Sequence, residues 1–243
     1  MFEDAEKSKK PTVVLIHGSW LGGWSWRGVA SRLTAEGYRV LTPTLTGLGD
    51  RSHLLTGDIN LSAHIEDIVN LVLFEDRKNV VLVGHSYGAM VAAGAADRLF
   101  DRVRCDIVIV DGFITEPGES VVDRYPDVYS LMRHFLSSDP SLVEPPPLET
   151  FGLNDPAISA AIAPYLTRMP LATHMEKLNY SMDKQAQVSR TYICCTEFPM
   201  FHQTASNAAA QGWHSLEINA GHLAPITHPK QIADLIKASI RSK

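Results

Sequence analysis

The sequence predicts an α/β protein built on a doubly wound, mostly parallel sheet, with a helical cap inserted into it. Three observations carry this. Short β-branched apolar runs alternate with longer amphipathic stretches along most of the chain. The runs are continuously apolar rather than alternating, as strands buried on both faces are. One long central stretch, beginning at Phe113, breaks the alternation.

Strands are expected at residues 12–16, 39–42, 80–83, 106–110, 191–195 and 215–219. Helices are expected between and after them at 26–36, 61–74, 87–99, 204–211 and 229–240. Strand and helix in turn build a parallel sheet covered on both faces, because right-handed crossovers place successive helices over it. The stretch from Phe113 to about Val188 holds most of the prolines, including Pro145-Pro146-Pro147, and amphipathic pieces at 128–136 and 158–166, with no strand expected. The division is therefore a core of residues 1–112 and 186–243 and a cap of residues 113–185. Met132, Phe135, Phe151, Tyr165, Met169, Met175 and Tyr180 read as cap packing, with a share in a pocket wall left open.

With 243 residues, 45% of them apolar, the chain suits one large domain. Net charge is −5 and the 22 basic residues are scattered, which argues against nucleic acid as a partner. Residues 1–10 are charged and lack the apolar centre of a signal peptide, and no apolar run approaches the ~18 residues of a membrane span. A cytoplasmic protein without a membrane partner is expected. Cys105, Cys194 and Cys195 form neither a disulfide framework nor a zinc pattern, so buried thiols and no metal are expected.

The chemistry centres on Gly84-His85-Ser86-Tyr87-Gly88, directly after an expected strand and directly before an alanine-rich helix. A serine on such a turn is held in a strained conformation with its hydroxyl exposed, and small flanking residues let strand and helix approach. Ser86 is the expected nucleophile. A serine hydroxyl needs a base with a pKa near neutrality, and His222 follows the last expected strand in Asn219-Ala220-Gly221-His222. His228 precedes Pro229 at a helix entry, and His214 starts the last strand at the opposite end. An oxyanion would be held by backbone N–H groups of Tyr87 and of the loop His17-Gly18-Ser19-Trp20, from Ser19 or alternatively Trp20. His17, Gly18, Trp24 and Phe113 are the candidate substrate contacts.

His17-Gly18-Ser19 with Gly23-Trp24, Thr46-Gly47-Leu48-Gly49-Asp50-Arg51, the elbow at Ser86 and Gly221-His222 together resemble the α/β-hydrolase superfamily. More narrowly, the chain resembles the branch of plant methylesterases, hydroxynitrile lyases and bacterial esterase relatives. The resemblance spans nearly the whole chain and implies the α/β-hydrolase fold, a Ser–His–acid triad, a cap over the pocket and no cofactor. In that branch the acid is usually an aspartate after the penultimate strand, where this chain has Thr196-Glu197-Phe198-Pro199. Two carboxylates can replace it. Glu197 lies near the usual place, and Asp111 ends the strand after the nucleophile helix, from which some superfamily members take their acid. Asp111 is preferred, because its short side chain at a strand end is held rigidly and Gly112 leaves room for an imidazole.

The expected activity is hydrolysis of a small, largely apolar carboxylic ester or lactone through an acyl-enzyme. A hydroxynitrile-lyase-type reaction is disfavoured by Leu223, where the lyase pattern has lysine. A non-catalytic ligand-binding protein on the same fold is the other alternative. The expected partner is a small ester, with a homodimer left open.

Overall fold

In a computed structural model the described residues are 10–241, so all but the end of the charged segment 1–10 lies outside them. The chain enters through β1 (Thr12–Ile16), α1 (Arg27–Ala35) and the short β2 (Val40–Leu41), then α2 (Leu61–Phe74). β3 (Asn79–His85), α3 (Gly88–Leu99) and β4 (Arg104–Val110) follow. The six-stranded sheet is completed by β7 (Arg190–Cys195) and β8 (His214–Ile218), in the order β2-β1-β3-β4-β7-β8 with parallel pairing throughout. The order reverses at β1 and β3, and the loops at the carboxyl ends of β1, β3, β4 and β8 converge there, as in other open α/β sheets.

The local sequence explains these elements. β1 is buried at all five positions, which its Thr-Val-Val-Leu-Ile run permits. α2 starts where the Asn60 side chain accepts the Ala63 N–H, and it buries Leu61, Ile65, Ile68, Val69 and Val72 along one face. In α3 the buried Ala89, Ala92, Ala95 and Ala96 keep the helix thin against the sheet.

The segment between β4 and β7 is mostly helical: α4 (Val121–Arg124), α5 (Pro126–His134), α6 (Pro156–Ile162), α7 (Ala172–Met175) and α8 (Met182–Ala186). It also contains β5 (Leu142–Val143) and β6 (Met169–Pro170), an antiparallel pair with Leu142 opposite Pro170. That ribbon corrects the expectation of a strand-free segment. Two residues per strand are too few to show a period, and Val143 and Met169 of the ribbon are buried in the main core cluster. Met132 and Met169 are fully buried, whereas Tyr165 and Met175 are about half exposed. α9 (His202–Ala210) lies between β7 and β8, and α10 (Ala224–Thr227) and α11 (Pro229–Arg241) follow β8. No described helix is long and apolar enough to cross a membrane.

Candidate active site

Ser86 sits between β3 and α3 with φ +53°, in the left-handed region that residues with a Cβ rarely adopt. The strain is held from both sides: the Ser86 N–H donates to the Val110 carbonyl, and the Ser86 carbonyl accepts from Ala89 and Phe113. A Cβ on Gly84 would lie 2.4 Å from the Gly88 carbonyl oxygen, and one on Gly88 would lie 2.5 Å from that of Ile16. Both elbow glycines are therefore steric requirements of the turn.

His222, on the loop after β8, brings Nε2 to 3.0 Å from Ser86 Oγ. Its ring is 4% exposed and boxed by Phe198 at 4.7 Å, Phe201 at 5.4 Å and Phe151 at 5.8 Å between ring centroids. His85 donates from Nε2 to the His222 carbonyl at 2.9 Å, which fixes the loop, and burial holds His85 well below the usual histidine range.

Asp111 ends β4 with φ +46° and is fully buried. Its Oδ2 lies 2.7 Å from His222 Nδ1, and its Oδ1 accepts the Cys195 N–H at 3.1 Å. The turn is pinned by Tyr192, whose hydroxyl donates to the Gly112 carbonyl at 2.8 Å and accepts the Gly112 N–H at 3.1 Å. Gly112 does not face the imidazole as expected; a Cβ there would meet Ala89 Cβ at 2.7 Å and the Ser86 carbonyl oxygen at 2.8 Å. Glu197 is exposed and is not brought to His222; its N–H donates to the Ala220 carbonyl while the imidazole nitrogen is already taken by Asp111. The structure thus joins Ser86, His222 and Asp111 in one hydrogen-bonded line and leaves Glu197 outside it.

Ser19, Trp20 and Tyr87 flank the same site. Among the described residues their backbone N–H groups have no protein acceptor, so they are free to bind an oxygen anion. Trp20 takes φ +60° and donates from its indole to the Val143 carbonyl at 3.2 Å. The cavity beside Ser86 is lined by Gly18, Ser19, Leu21, Leu148, Phe151, Leu166, His222 and Leu223 among others, and offers about 20 Å³ for water centres. That is room for about one water. Pro145, Leu148, Phe151 and Leu166 come from the segment between β4 and β7, which thus forms part of the cavity wall.

Three expected substrate contacts lie elsewhere. His17 is fully buried with both nitrogens used: Nδ1 donates to the Gly18 carbonyl at 2.8 Å and Nε2 accepts from Leu45 at 3.0 Å. Burial lowers its pKa to about 4, so it is a neutral loop brace. Trp24 packs at a tilt against Tyr165 along a separate polar cleft that also contains Arg27, Asp50 and Thr167. Phe113 packs behind the site against Tyr125 and Phe201. Spacing after a strand end cannot tell which side of the loop a ring takes. Conversely, His174 and the leucines at 148 and 166 carried no signal in the sequence, since the segment between β4 and β7 has no motif to anchor them. Asp50, at the end of the glycine-rich segment 47–50, accepts the Thr44 hydroxyl at 2.5 Å. Among the described residues no three histidine, cysteine or carboxylate side chains gather as metal ligands.

Comparison with known proteins agrees with this geometry. The Alpha/beta hydrolase family profile matches residues 13–235. A carbendazim hydrolyzing esterase from Nocardioides sp. (strain SG-4G) is 31% identical over 242 residues, covering 93% of this chain and 98% of that protein. Methylesterase 2 of Arabidopsis thaliana is 28% identical, covering 79% of this chain and 80% of that one. Among solved structures, an extracellular alpha/beta-hydrolase from a Paenibacillus species, described as a structural and functional homologue of tobacco salicylic acid binding protein 2, superposes with TM-score 0.85 at 26% identity, covering 96% of this chain and 100% of that chain. With its parallel sheet, strained elbow serine and matching profile over most of its length, the chain belongs to the alpha/beta hydrolase family, on the branch that holds the methylesterases.

Proposed function

We propose that the protein is a serine hydrolase that cleaves small, largely apolar carboxylic esters through an acyl-enzyme on Ser86. The observation that carries this is the continuous line from Ser86 Oγ through His222 to Asp111, at 3.0 and 2.7 Å. The apolar lining of the cavity and the esterase names of the relatives support the substrate class.

The Asp111 carboxylate accepts a hydrogen bond from His222 Nδ1–H, which leaves Nε2 unprotonated and able to take the Ser86 proton. Ser86 Oγ then bonds to the ester carbonyl carbon, and the N–H groups of Ser19 and Tyr87, or Trp20, hold the oxyanion. The C–O bond to the alcohol breaks as His222 returns its proton to the leaving oxygen. Water repeats the sequence: His222 takes one of its protons, its oxygen bonds to the acyl carbon, and Ser86 leaves with the proton restored. Each step conserves the charge of Asp111, which orients the imidazole and stabilises its cationic form.

A hydroxynitrile-lyase-type reaction is less well supported, because Leu223 is buried and apolar where the lyase pattern has lysine. A purely ligand-binding role leaves the Ser86–His222 bond without a purpose. The test is a fluorophosphonate probe together with p-nitrophenyl esters from acetate to hexanoate. Labelling at Ser86 and turnover that disappears in Ser86→Ala are expected; absence of both in the wild-type protein refutes the hydrolase reading.

A further inference from the structure

The loop that carries Ser19 and Trp20 is fastened to the cap. Ser19 Oγ lies 3.1 Å from His174 Nε2, the Trp20 indole donates to Val143 in β5 at 3.2 Å, and the Thr167 N–H donates to the Trp20 carbonyl at 3.0 Å. His174 belongs to α7 and is itself tied to the ribbon. Its Nδ1 lies 2.9 Å from Thr173 Oγ1, and the Thr173 hydroxyl donates to the Pro170 carbonyl in β6 at 2.7 Å.

These partners settle the proton positions. A hydroxyl has one proton, and Thr173 gives it to a carbonyl, so Thr173 accepts from His174 Nδ1–H. His174 Nε2 is then the acceptor, and the Ser19 hydroxyl donates to it. The ring is fully enclosed, and that burial lowers its pKa to about 3, which keeps this arrangement through the neutral range. The other wall of the site is built alike. His64 gives its Nε2 proton to the Thr46 carbonyl at 2.8 Å, so its Nδ1 accepts from the Tyr87 hydroxyl at 2.9 Å. The Tyr87 ring stacks on His174 at 4.7 Å and 20°. Glu176, two residues on, accepts both the N–H and the hydroxyl of Ser62 at 2.7 and 2.6 Å, which clamps α7 to α2.

We propose that His174 is a positioning residue that holds the Ser19 side of the oxyanion site through its bond to the Ser19 hydroxyl, so that the site is complete only while the cap is seated. This rests on the assignment above of Ser19 and Tyr87 as oxyanion donors. His174 touches no reacting atom. It acts by setting where the Ser19 N–H stands relative to that of Tyr87, against which it stacks. Because Leu148, Phe151 and Leu166 of the same segment line the cavity beside Ser86, seating of that segment couples the shape of the pocket to assembly of the oxyanion site.

The test compares kcat and KM for p-nitrophenyl acetate and butyrate in wild type, His174→Phe, His174→Gln, Ser19→Ala and the double variant Ser19→Ala/His174→Phe. Phenylalanine keeps a ring on Tyr87 but offers no acceptor, whereas glutamine places an amide oxygen near the position of Nε2. His174→Phe and Ser19→Ala should each lower kcat about 10-fold with KM changed by less than about 2-fold, a smaller loss than outright removal of an oxyanion donor. The double variant should match the single ones within about 3-fold, since both remove one bond. His174→Gln should recover most of kcat. Ser19→Ala carries the test if the buried substitution prevents folding, because it breaks the same bond from the other end. Multiplying losses, a change confined to KM, an undiminished kcat in Ser19→Ala or a glutamine variant as slow as phenylalanine would each overturn the role of His174. A wild-type protein that turns over no ester would overturn the hydrolase reading instead, and this inference with it.

Discussion

The Asp111 carboxylate stands 2.7 Å from His222 Nδ1 while its second oxygen accepts the Cys195 N–H at 3.1 Å. The two bonds divide the carboxylate's duties. One oxygen is locked by the backbone of β7, so the other has a fixed direction toward the imidazole, and His222 keeps its proton on Nδ1.

The same division predicts the effect of Asp111→Asn. The amide oxygen will take the Cys195 bond, which turns the NH2 group toward His222 Nδ1. The imidazole must then carry its proton on Nε2 and cannot accept the one on Ser86. Steady-state kinetics should show kcat lowered about 10³- to 10⁴-fold. Glu197→Gln should stay within about 2-fold of wild type, since its side chain is exposed. Equal losses in both variants would contradict the assignment of Asp111.

Stability should fall in acid well above the carboxylate range. His17 and His174 are buried neutral, with pKa values lowered to about 4 and about 3 from 6.5 by loss of hydration. The unfolded chain binds these two protons as pH drops below about 6.5, while the native chain resists until about 4. Stability is thus fully present above pH 6.5 and is lost as pH falls through that window, by up to about 2.7 kcal/mol per pH unit for the two groups. Urea unfolding measured from pH 7.5 to 4.5 should show a falling midpoint, and His174→Phe should flatten the fall. A midpoint independent of pH over that range would contradict neutral burial.

Phe151→Ala should widen the acyl range. Phe151 stands between His222 at 5.8 Å and Trp20 at 5.7 Å, and it lines a cavity with room for about 20 Å³ of water centres. Removing the ring opens space beside Ser86 for several methylenes. The ratio of kcat/KM for p-nitrophenyl hexanoate to that for acetate should rise about 10-fold or more, given the usual worth of a methylene in an apolar pocket. An unchanged ratio would place the acyl chain elsewhere.

The core of the fold was legible because its signals are local. β1 begins and ends at the residues its apolar run marks, and α2 does so as well, with Asn60 capping it. The remaining core strands differ from expectation by a residue or two at their ends, as at Asn79–His85. The segment between β4 and β7 was legible only as an interruption. Its ribbon at β5 and β6 has no period of its own, and His174 looks in the sequence like any histidine on an amphipathic piece. His17 shows the converse error: its place after β1 suggested a substrate contact, but both of its nitrogens are spent on the backbone.

The sequence by itself determined the sheet, the turn that carries Ser86 and the loop position of His222, because each depends on neighbours in the chain. Gly84 and Gly88 leave the space in which Ser86 can be strained, and the end of β8 delivers His222. Which carboxylate completes the line was decided only by the tertiary structure. Asp111 and His222 are 111 positions apart, and their meeting depends on the parallel register of β4, β7 and β8. A residue pattern encodes local backbone geometry directly, whereas a hydrogen bond across three strands exists only once all three are in place.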